Sequence, residues 1–155
     1  MPQPTSIPHP PFDPAYQVPI ALAGLPADLD VKSLREGPLL SGTADTLLSK
    51  YTDVKHHEVL APPVQGLGNH TVTISLFETK TFQKKDRAVF VYCHGGSQVG
   101  GNRFAAVDVF MDTILAVHDD LVFASVDYRL APEDRAPAAA YDCYAAIVYI
   151  ADHAA

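Results

Sequence analysis

The chain has few cysteines and few basic residues, and both shortages narrow its possible functions. It has only two cysteines, Cys93 and Cys143, too few for the disulfide framework of a small secreted domain. Both lie in apolar runs, so we expect buried thiols and a reducing, cytoplasmic compartment. Lysine and arginine total 11 against 18 aspartates and glutamates, for a net charge of −7, and the basic residues are scattered. We therefore expect no nucleic-acid partner.

Several catalytic and binding motifs are also missing. Residues 1–19 hold seven prolines and almost no apolar run, unlike a signal peptide or a membrane span. The seven histidines show no metal-ligand spacing, and there is no Gly-x-Gly-x-x-Gly or P-loop, so we expect no metal and no cofactor. No serine lies in a Gly-x-Ser-x-Gly nucleophile elbow. The sequence thus offers no catalytic nucleophile.

What is present is the composition of one globular domain. Hydrophobic residues make up 48% and charged residues 19% of 155, which is typical of a folded chain with a core. Residues 1–11 are rich in proline and are expected to form a flexible arm. Residues 12–52 carry capping and breaker signals for three short helices, near Asp13, from Asp30 to Gly37 and from Gly42 to Tyr51. Residues 53–155 form a separate segment with a different pattern.

From residue 53 onward the pattern predicts strands followed by alternating helices and strands. Residues 54–60 and 71–77 are each predicted to form a strand, and the second alternates between apolar and polar residues. We expect the two to form an antiparallel pair at a sheet edge. Residues 88–93 are continuously apolar, which is typical of a central parallel strand buried on both faces. A helix over 103–118, a strand over 121–126 and a last helix from Pro137 follow, with the last helix expected to bury Tyr144, Ile147, Val148 and Ala151. This order favours the α/β class.

The segment His94-Gly95-Gly96-Ser97 directly follows the apolar strand. Glycines there let the backbone turn sharply and bring bare N–H groups toward a ligand. In acyl transfer, such groups stabilise the oxyanion of a tetrahedral intermediate, by about 3–4 kcal/mol per donor. Taken alone, the segment fits equally well a glycine-rich turn without a catalytic role.

A second segment, Asp127-Tyr128-Arg129-Leu130-Ala131-Pro132-Glu133, follows the next predicted strand, and Asp142 comes shortly after it. Arg129 carries a planar guanidinium that suits a carboxylate. Glu133 and Asp142 are the nearest carboxylates in the sequence, so we expect an ion-pair network that fixes this loop. We assign a structural role to Asp127, Arg129, Glu133 and Asp142, and regard catalysis by Glu133 or Asp142 as the weaker interpretation.

In their order and spacing, the two segments resemble the hormone-sensitive-lipase group of α/β-hydrolases, which are esterases and lipases. The resemblance implies an incomplete α/β-hydrolase sheet, with residues 12–52 as N-terminal cap helices and 53–155 as the N-terminal half of the hydrolase domain. It implies hydrolysis of a small-molecule ester by a Ser-His-Asp triad without a cofactor. The oxyanion hole falls on Gly95, Gly96 and Ser97, with the N–H groups of Gly96 and Ser97 as donors, and His94 and Gly101 complete the motif.

This sequence departs from the family pattern at two positions. Ser97 replaces the third glycine of His-Gly-Gly-Gly, and Gln98 replaces an aromatic residue. If position 97 requires a positive φ, serine there costs about 1 kcal/mol or more. These departures also fit a second hypothesis, a non-catalytic ligand-binding protein of the same fold. The gibberellin receptor family looks like such a case.

The first hypothesis is the N-terminal portion of a carboxylic-ester hydrolase that carries the oxyanion loop without the triad and is inactive alone. A half-domain completed by a second chain is a further alternative. In each case the family's strand order predicts that one side of the 88–93 strand lacks a neighbour. We therefore expect self-association through that sheet edge.

Overall fold

The computed structural model describes residues 31–37, 40–80, 87–115 and 121–153. The predicted arm over residues 1–11 and the helix near Asp13 lie outside these ranges. The described elements are α1 (Val31–Glu36), α2 (Ala44–Lys50), β1 (Val54–Ala61), β2 (Val72–Thr79), β3 (Val89–Cys93), α3 (Val107–Leu115), β4 (Val122–Asp127) and α4 (Ala138–His153). No helix within these ranges is both long and apolar enough to cross a membrane.

The four strands form one mixed sheet in the order β1-β2-β4-β3. β1 pairs with β2, and β2 with β4, in antiparallel orientation, whereas β3 and β4 are parallel. The parallel pair requires a crossover, and α3 lies between β3 and β4 in the sequence. The predicted α/β class, the antiparallel edge pair and the parallel pair are confirmed.

Helices cover both faces of the sheet. On one face, buried residues of β2 and β4 pack against alanines of α4, in a cluster that includes Val72, Ile74, Ala124, Val126, Ala139, Ala145 and Ala146. On the other face, the cluster joins the sheet to α2 and α3 and contains Leu47, Val54, Phe77, Tyr92, Val107, Met111 and Phe123. The alternation of even and odd positions along β2 and β4 places each set on its own face.

The predicted buried face of α4 is wrong. Tyr144 and Ile147 are about half exposed, and Ala151 is exposed. The buried positions of this helix are Ala138, Ala139, Asp142, Ala145 and Ala146. Alanine side chains let a helix backbone approach a sheet closely, so here the small residues face the core and the large ones face outward.

Two further expectations about burial and helix length need correction. Only Tyr92 of β3 is buried, and the side chain of Phe90 is 37% exposed, because β3 has a partner on one side only in the described sheet. The helix expected from Arg103 begins at Val107, after a turn in which Ala106 has φ 56°. The expected continuation to residue 118 lies outside the described residues.

Candidate functional site

The loop after β3 is built on a tight turn that requires glycine. The N–H groups of Val99 and Gly100 both donate to the carbonyl of Gly96, at 3.0 Å. Gly96 has φ 117°, and a Cβ atom there would lie 2.2 Å from the carbonyl oxygen of Gly100. Both the backbone angle and the close approach exclude any larger residue at position 96.

Gly101 is needed for a different reason, which is the space it leaves for His94. A Cβ atom at position 101 would lie 2.5 Å from Nδ1 of His94 and 2.6 Å from the carbonyl oxygen of Gly95. Gly101 also has φ 89°. The glycine therefore lets the end of the loop close over the histidine ring.

His94 is a buried residue that orients the loop. Its side chain is 4% exposed, and its ring stacks on Tyr128 with centroids 4.1 Å apart. Burial lowers the pKa of His94, so the ring is neutral at pH 7. Nδ1 lies 2.8 Å from the carbonyl oxygen of Gly95, a distance that assigns the ring proton to Nδ1 as a donor. The Tyr128 hydroxyl donates to the carbonyl of His94 at 2.5 Å.

Fixing the carbonyl of Gly95 also fixes the direction of the next N–H group. In a trans peptide the carbonyl and the N–H point in opposite directions, so the Gly96 N–H points away from the His94 ring nitrogen. Within the described part of the chain, no acceptor bonds to the N–H of Gly96 or of Ser97. The loop thus presents two adjacent unpaired donors at the carboxyl end of a parallel strand, where ligands bind in α/β sheets.

A cavity of about 220 Å³ adjoins the loop. Its walls come from the end of β3, the loop, the end of β4 and the first turns of α4, and are formed by Cys93, His94, Ser97, Gln98, Tyr128, Ala139, Ala140 and Cys143. Methyl groups, aromatic rings and thiols line it beside a hydroxyl and an amide. Such a cavity suits a small, mostly apolar group with one polar end.

The loop after β4 is fixed by a fork between Arg129 and Asp142. Nε and Nη2 of Arg129 donate to the two oxygens of Asp142, both at 2.9 Å. The backbone N–H of Arg129 donates to the same carboxylate, also at 2.9 Å. Asp142 is the only acidic residue among the buried residues of α4. The expected partnership of Arg129 with Asp142 is therefore observed, and Asp134 adds a contact at 3.3 Å.

Glu133 does not join this fork, although the sequence also offered it as a partner of Arg129. It pairs with Arg35 of α1, whose Nη1 and Nη2 donate to the two carboxylate oxygens at 2.9 and 2.6 Å. Arg35 also donates to the carbonyls of Val99 at 2.8 Å and Ala131 at 2.9 Å. One guanidinium thus links the loop after β3 to the loop after β4, a role that the sequence alone did not reveal.

Asp127, at the end of β4, belongs to another network. It forms an ion pair with Arg103, which also pairs with Glu58 of β1 at 2.7 Å and donates to Ser75 of β2 at 2.9 Å. The Ser125 hydroxyl donates to the carbonyl of Arg103 at 2.6 Å. Arg103 thus connects the end of the loop after β3 to β1, β2 and β4.

Comparisons with known proteins bear on the fold and on the loop. A family model described as "alpha/beta hydrolase fold" matches residues 90–155, which include both motif segments. Tuliposide A-converting enzyme b1 of Tulipa gesneriana is 33% identical over 116 residues, covering 75% of this chain and 30% of that protein. A bacterial heroin esterase matches with a TM-score of 0.64 and 29% identity, over 88% of this chain and 42% of that one.

The chain belongs to the α/β-hydrolases, and a hormone-sensitive lipase from a metagenome library shares its fold, with a TM-score of 0.55 and 24% identity over 87% of this chain and 40% of that one. A hyperthermophilic esterase from Pyrobaculum calidifontis agrees with this, with a TM-score of 0.61 and 28% identity over 93% of this chain and 45% of that one. The described sheet is a partial α/β-hydrolase sheet. The chain spans about a third of the length of the curated relatives that it matches, for example 30% of the tulip enzyme.

The two departures from the family motif have an unusual backbone. Ser97 has φ 55° and Gln98 has φ 60°, in the left-handed region that glycine occupies without strain. Two consecutive non-glycine residues in this region are costly. The positive φ at position 97 accounts for the glycine that the family motif carries there.

We expect Ser97→Gly to raise the free energy of unfolding by roughly 0.5 kcal/mol or more, because the relief of left-handed strain exceeds the entropy that glycine adds to the unfolded chain. Ser97→Ala is the matched control, since it also removes the hydroxyl but keeps the strain. Urea unfolding of the three proteins measures the difference. Equal stability of the glycine and alanine variants would contradict the strain at this position.

The link made by Arg35 should be sensitive to acid. The hydrogen bond from Arg35 lowers the pKa of the Glu133 carboxyl to about 2. A carboxyl with a depressed folded pKa stabilises the fold above its unfolded pKa and loses this effect as the pH falls through the folded value. We therefore expect the contact between the two loops to weaken as the pH falls from about 4.5 toward 2.

The N–H of Ala131, which donates to the carbonyl of Gln98 at 2.8 Å, reports this contact by hydrogen exchange. Its protection should fall several-fold in Arg35→Ala, an effect of the size of a surface ion pair. In the native chain the protection of Ala131 should fall further at low pH, and in Arg35→Ala this pH-dependent loss should be absent. Unchanged protection of Ala131 in Arg35→Ala would show that the link is not needed.

The expectation of a buried thiol at Cys93 is wrong. Cys93 is exposed and Cys143 is half-buried. Cys93 ends β3, an outer strand of the described sheet, and lines the cavity beside α4. The neighbouring Cys143 thiol lowers the pKa of the Cys93 thiol.

Proposed function

We propose that this chain carries the oxyanion-hole half of a carboxylic-ester hydrolase. The pair of unpaired N–H groups at Gly96 and Ser97 is the observation on which the proposal rests. In ester hydrolysis a nucleophile attacks the carbonyl carbon, and the carbonyl oxygen becomes an anion. Two preorganised N–H groups stabilise that anion more than they stabilise the neutral ester. The residue after the nucleophile supplies another donor in this fold.

The His94 side chain is assigned to positioning in this proposal. It is buried and neutral, and its Nδ1–H holds the carbonyl of Gly95. This contact sets the peptide plane that carries the Gly96 donor. The cavity of about 220 Å³ beside Ser97 favours a small ester, with its apolar part against Ala139 and Ala140.

The donors can be tested without a nucleophile, by using a carboxylate as a stand-in for the oxyanion. In the ¹⁵N-labelled chain, titration with butyrate should shift the amide resonances of Gly96 and Ser97 more than those of other glycines. Gly66 and Gly68 are matched internal controls, because they also have positive φ but lie in the turn between β1 and β2. Sodium chloride at equal ionic strength controls for screening.

Amides at positions 96 and 97 that do not respond to butyrate, or that are already protected from hydrogen exchange in the free chain, would contradict the oxyanion hole. A response spread equally over Gly66 and Gly68 would show unspecific anion binding and would also contradict it.

The chain alone should not hydrolyse short-chain nitrophenyl esters above the background rate. Its 155 residues contain no nucleophile elbow, and an oxyanion hole accelerates the reaction only where a nucleophile attacks. The release of nitrophenol by the purified chain is the measurement. Saturable turnover that is abolished by Ser97→Ala or Cys93→Ala would overturn this expectation and place the nucleophile within the chain.

A non-catalytic ligand-binding protein of the same fold is the second candidate. The strained Ser97 and Gln98 favour it, since they stand at the positions where the family's hydrolases carry glycine and an aromatic residue. The reading frame downstream of Ala155 distinguishes the two candidates. A Gly-x-Ser-x-Gly segment there, with a later acid and histidine, supports the hydrolase. A reading frame with a broken triad supports the binding protein, and a separate gene for the remaining half supports complementation by a second chain.

A further inference from the structure

The chain's two cysteines lie side by side in the fold, although Cys143 follows Cys93 by 50 residues in the sequence. Cys93 is the last residue of β3, and Cys143 lies in the second turn of α4. Each of the two thiols shifts the pKa of the other. Both also line the cavity beside Ser97. The parallel crossover and the return of α4 over the sheet bring them together, and neither takes part in the proposed ester chemistry.

The two thiols have unequal chemical character. The hydrogen bond from Cys143 lowers the pKa of the Cys93 thiol, and the same bond, with burial, raises the pKa of the Cys143 thiol. Cys93 is also the exposed member of the pair. A thiolate is the attacking form in thiol–disulfide exchange. Cys93 therefore suits the attacking role, and Cys143 suits the role of the thiol that attacks second.

We propose that Cys93 and Cys143 form a thiol-modification site that closes reversibly to an intramolecular disulfide by exchange with a small disulfide such as glutathione disulfide. In the first step the Cys93 thiolate attacks one sulfur of glutathione disulfide, the S–S bond breaks, and one glutathione thiolate leaves. Cys93 is then joined to glutathione in a mixed disulfide.

In the second step Cys143 gives its proton to solvent, and its sulfur attacks the sulfur of Cys93. The bond to glutathione breaks, and a second glutathione thiolate leaves. Overall, two protein thiols are oxidised to one disulfide, and one glutathione disulfide is reduced to two glutathione molecules. Reduced glutathione reverses both steps.

The new bond would join the end of β3 to α4. Both cysteines line the cavity, and the disulfide would bring their sulfurs to a bond length of about 2.05 Å. The part of the cavity wall that the two cysteines form would therefore move, and ligands of the cavity would compete with the modification. The proposal depends on the positions of the sulfur atoms and not on the proposed ester hydrolysis.

The test uses the full chain in glutathione redox buffers, followed by acid quenching and mass spectrometry. The native chain should lose two hydrogens without forming a disulfide-linked dimer, and proteolysis should yield a peptide pair joined through Cys93 and Cys143. Cys143→Ser should stop at the first step and accumulate a glutathione adduct on Cys93. Cys93→Ser is the matched control, and its remaining thiol should react much more slowly.

The same equilibrium in urea shows whether the fold is responsible. An unfolded chain can close the same bond, but without the thiols held together. We expect the equilibrium constant for the disulfide to be at least roughly tenfold higher in the native chain than in urea. Equal constants, disulfides only between chains, or thiols that stay free in oxidising buffer would each overturn the proposal.

Discussion

Asp142→Ala is expected to lower the free energy of unfolding by about 3 kcal/mol, the cost of breaking a buried ion pair from one side. The Asp142 carboxylate is 2% exposed and accepts three hydrogen bonds from Arg129, one from the backbone and two from the guanidinium. Removing it leaves a backbone N–H and a charged fork without their acceptor, and it leaves a gap between α4 and the loop after β4.

Asp134→Ala is the matched control, because Asp134 touches the same guanidinium from the solvent side. Its contact with Arg129 is longer, at 3.3 Å, and its side chain is 39% exposed. Its loss should cost less than about 1 kcal/mol. Urea unfolding at neutral pH compares the two variants. Losses of equal size would show that the fork does not fix this loop.

The elements of the fold follow from local patterns in the sequence. Period-two alternation marks β2, and a continuous apolar run marks β3. Their bounds differ from the predicted ones by one or two residues. The pairing of Arg129 with Asp142 was also accessible, because the loop and the first turns of α4 are adjacent in the sequence and offer few carboxylates.

Contacts between segments that are distant in the sequence could not be predicted from the sequence. Arg35 and Glu133 are 98 residues apart, and neither residue is marked by a local pattern that indicates a partner. The pairing of Cys93 with Cys143 depends in the same way on the crossover through α3 and on the position of α4 over the sheet. Such contacts follow only from the three-dimensional order of the elements.

The burial predicted from the sequence is wrong for side chains whose exposure depends on the elements packed against them. The large apolar residues of α4 were expected inside, but the helix lies so close to the sheet that only Ala138, Ala139, Ala145, Ala146 and Asp142 fit beneath it. For β3, an apolar composition was read as burial on both faces. Composition reports what a strand can bury, whereas the strand order decides what covers it.

The two outer strands of the described sheet differ in how they are protected. β1 carries Lys55 and Glu58, and charged residues on an edge strand discourage pairing with another chain. β3 has the sequence Val-Phe-Val-Tyr-Cys without a charge, and Phe90 is 37% exposed. Further exposed apolar side chains lie on α3 and α4, namely Val109, Phe110, Tyr144 and Ile147. We propose that copies of this chain associate through β3.

Phe90→Lys is therefore expected to weaken self-association by at least roughly tenfold, or about 1.4 kcal/mol, because it places a charge on the unprotected strand. Leu60→Lys is the matched control. Leu60 is 63% exposed, more than Phe90, but it lies on the charged edge strand β1. Its substitution should leave association unchanged. Sedimentation velocity over a concentration series measures both, and the binding of a hydrophobic dye should fall with association only in Phe90→Lys.

The comparison of the two variants requires that the wild-type chain self-associates. A monodisperse monomer at all concentrations, with cooperative unfolding and no dye binding, would show that β3 is protected by something other than a paired strand. Equal weakening by Phe90→Lys and Leu60→Lys would point to general apolar adhesion over the surface. Weakening by Phe90→Lys alone would show that the chains associate through β3. This is expected of an apolar strand with an unpaired row of N–H and C=O groups.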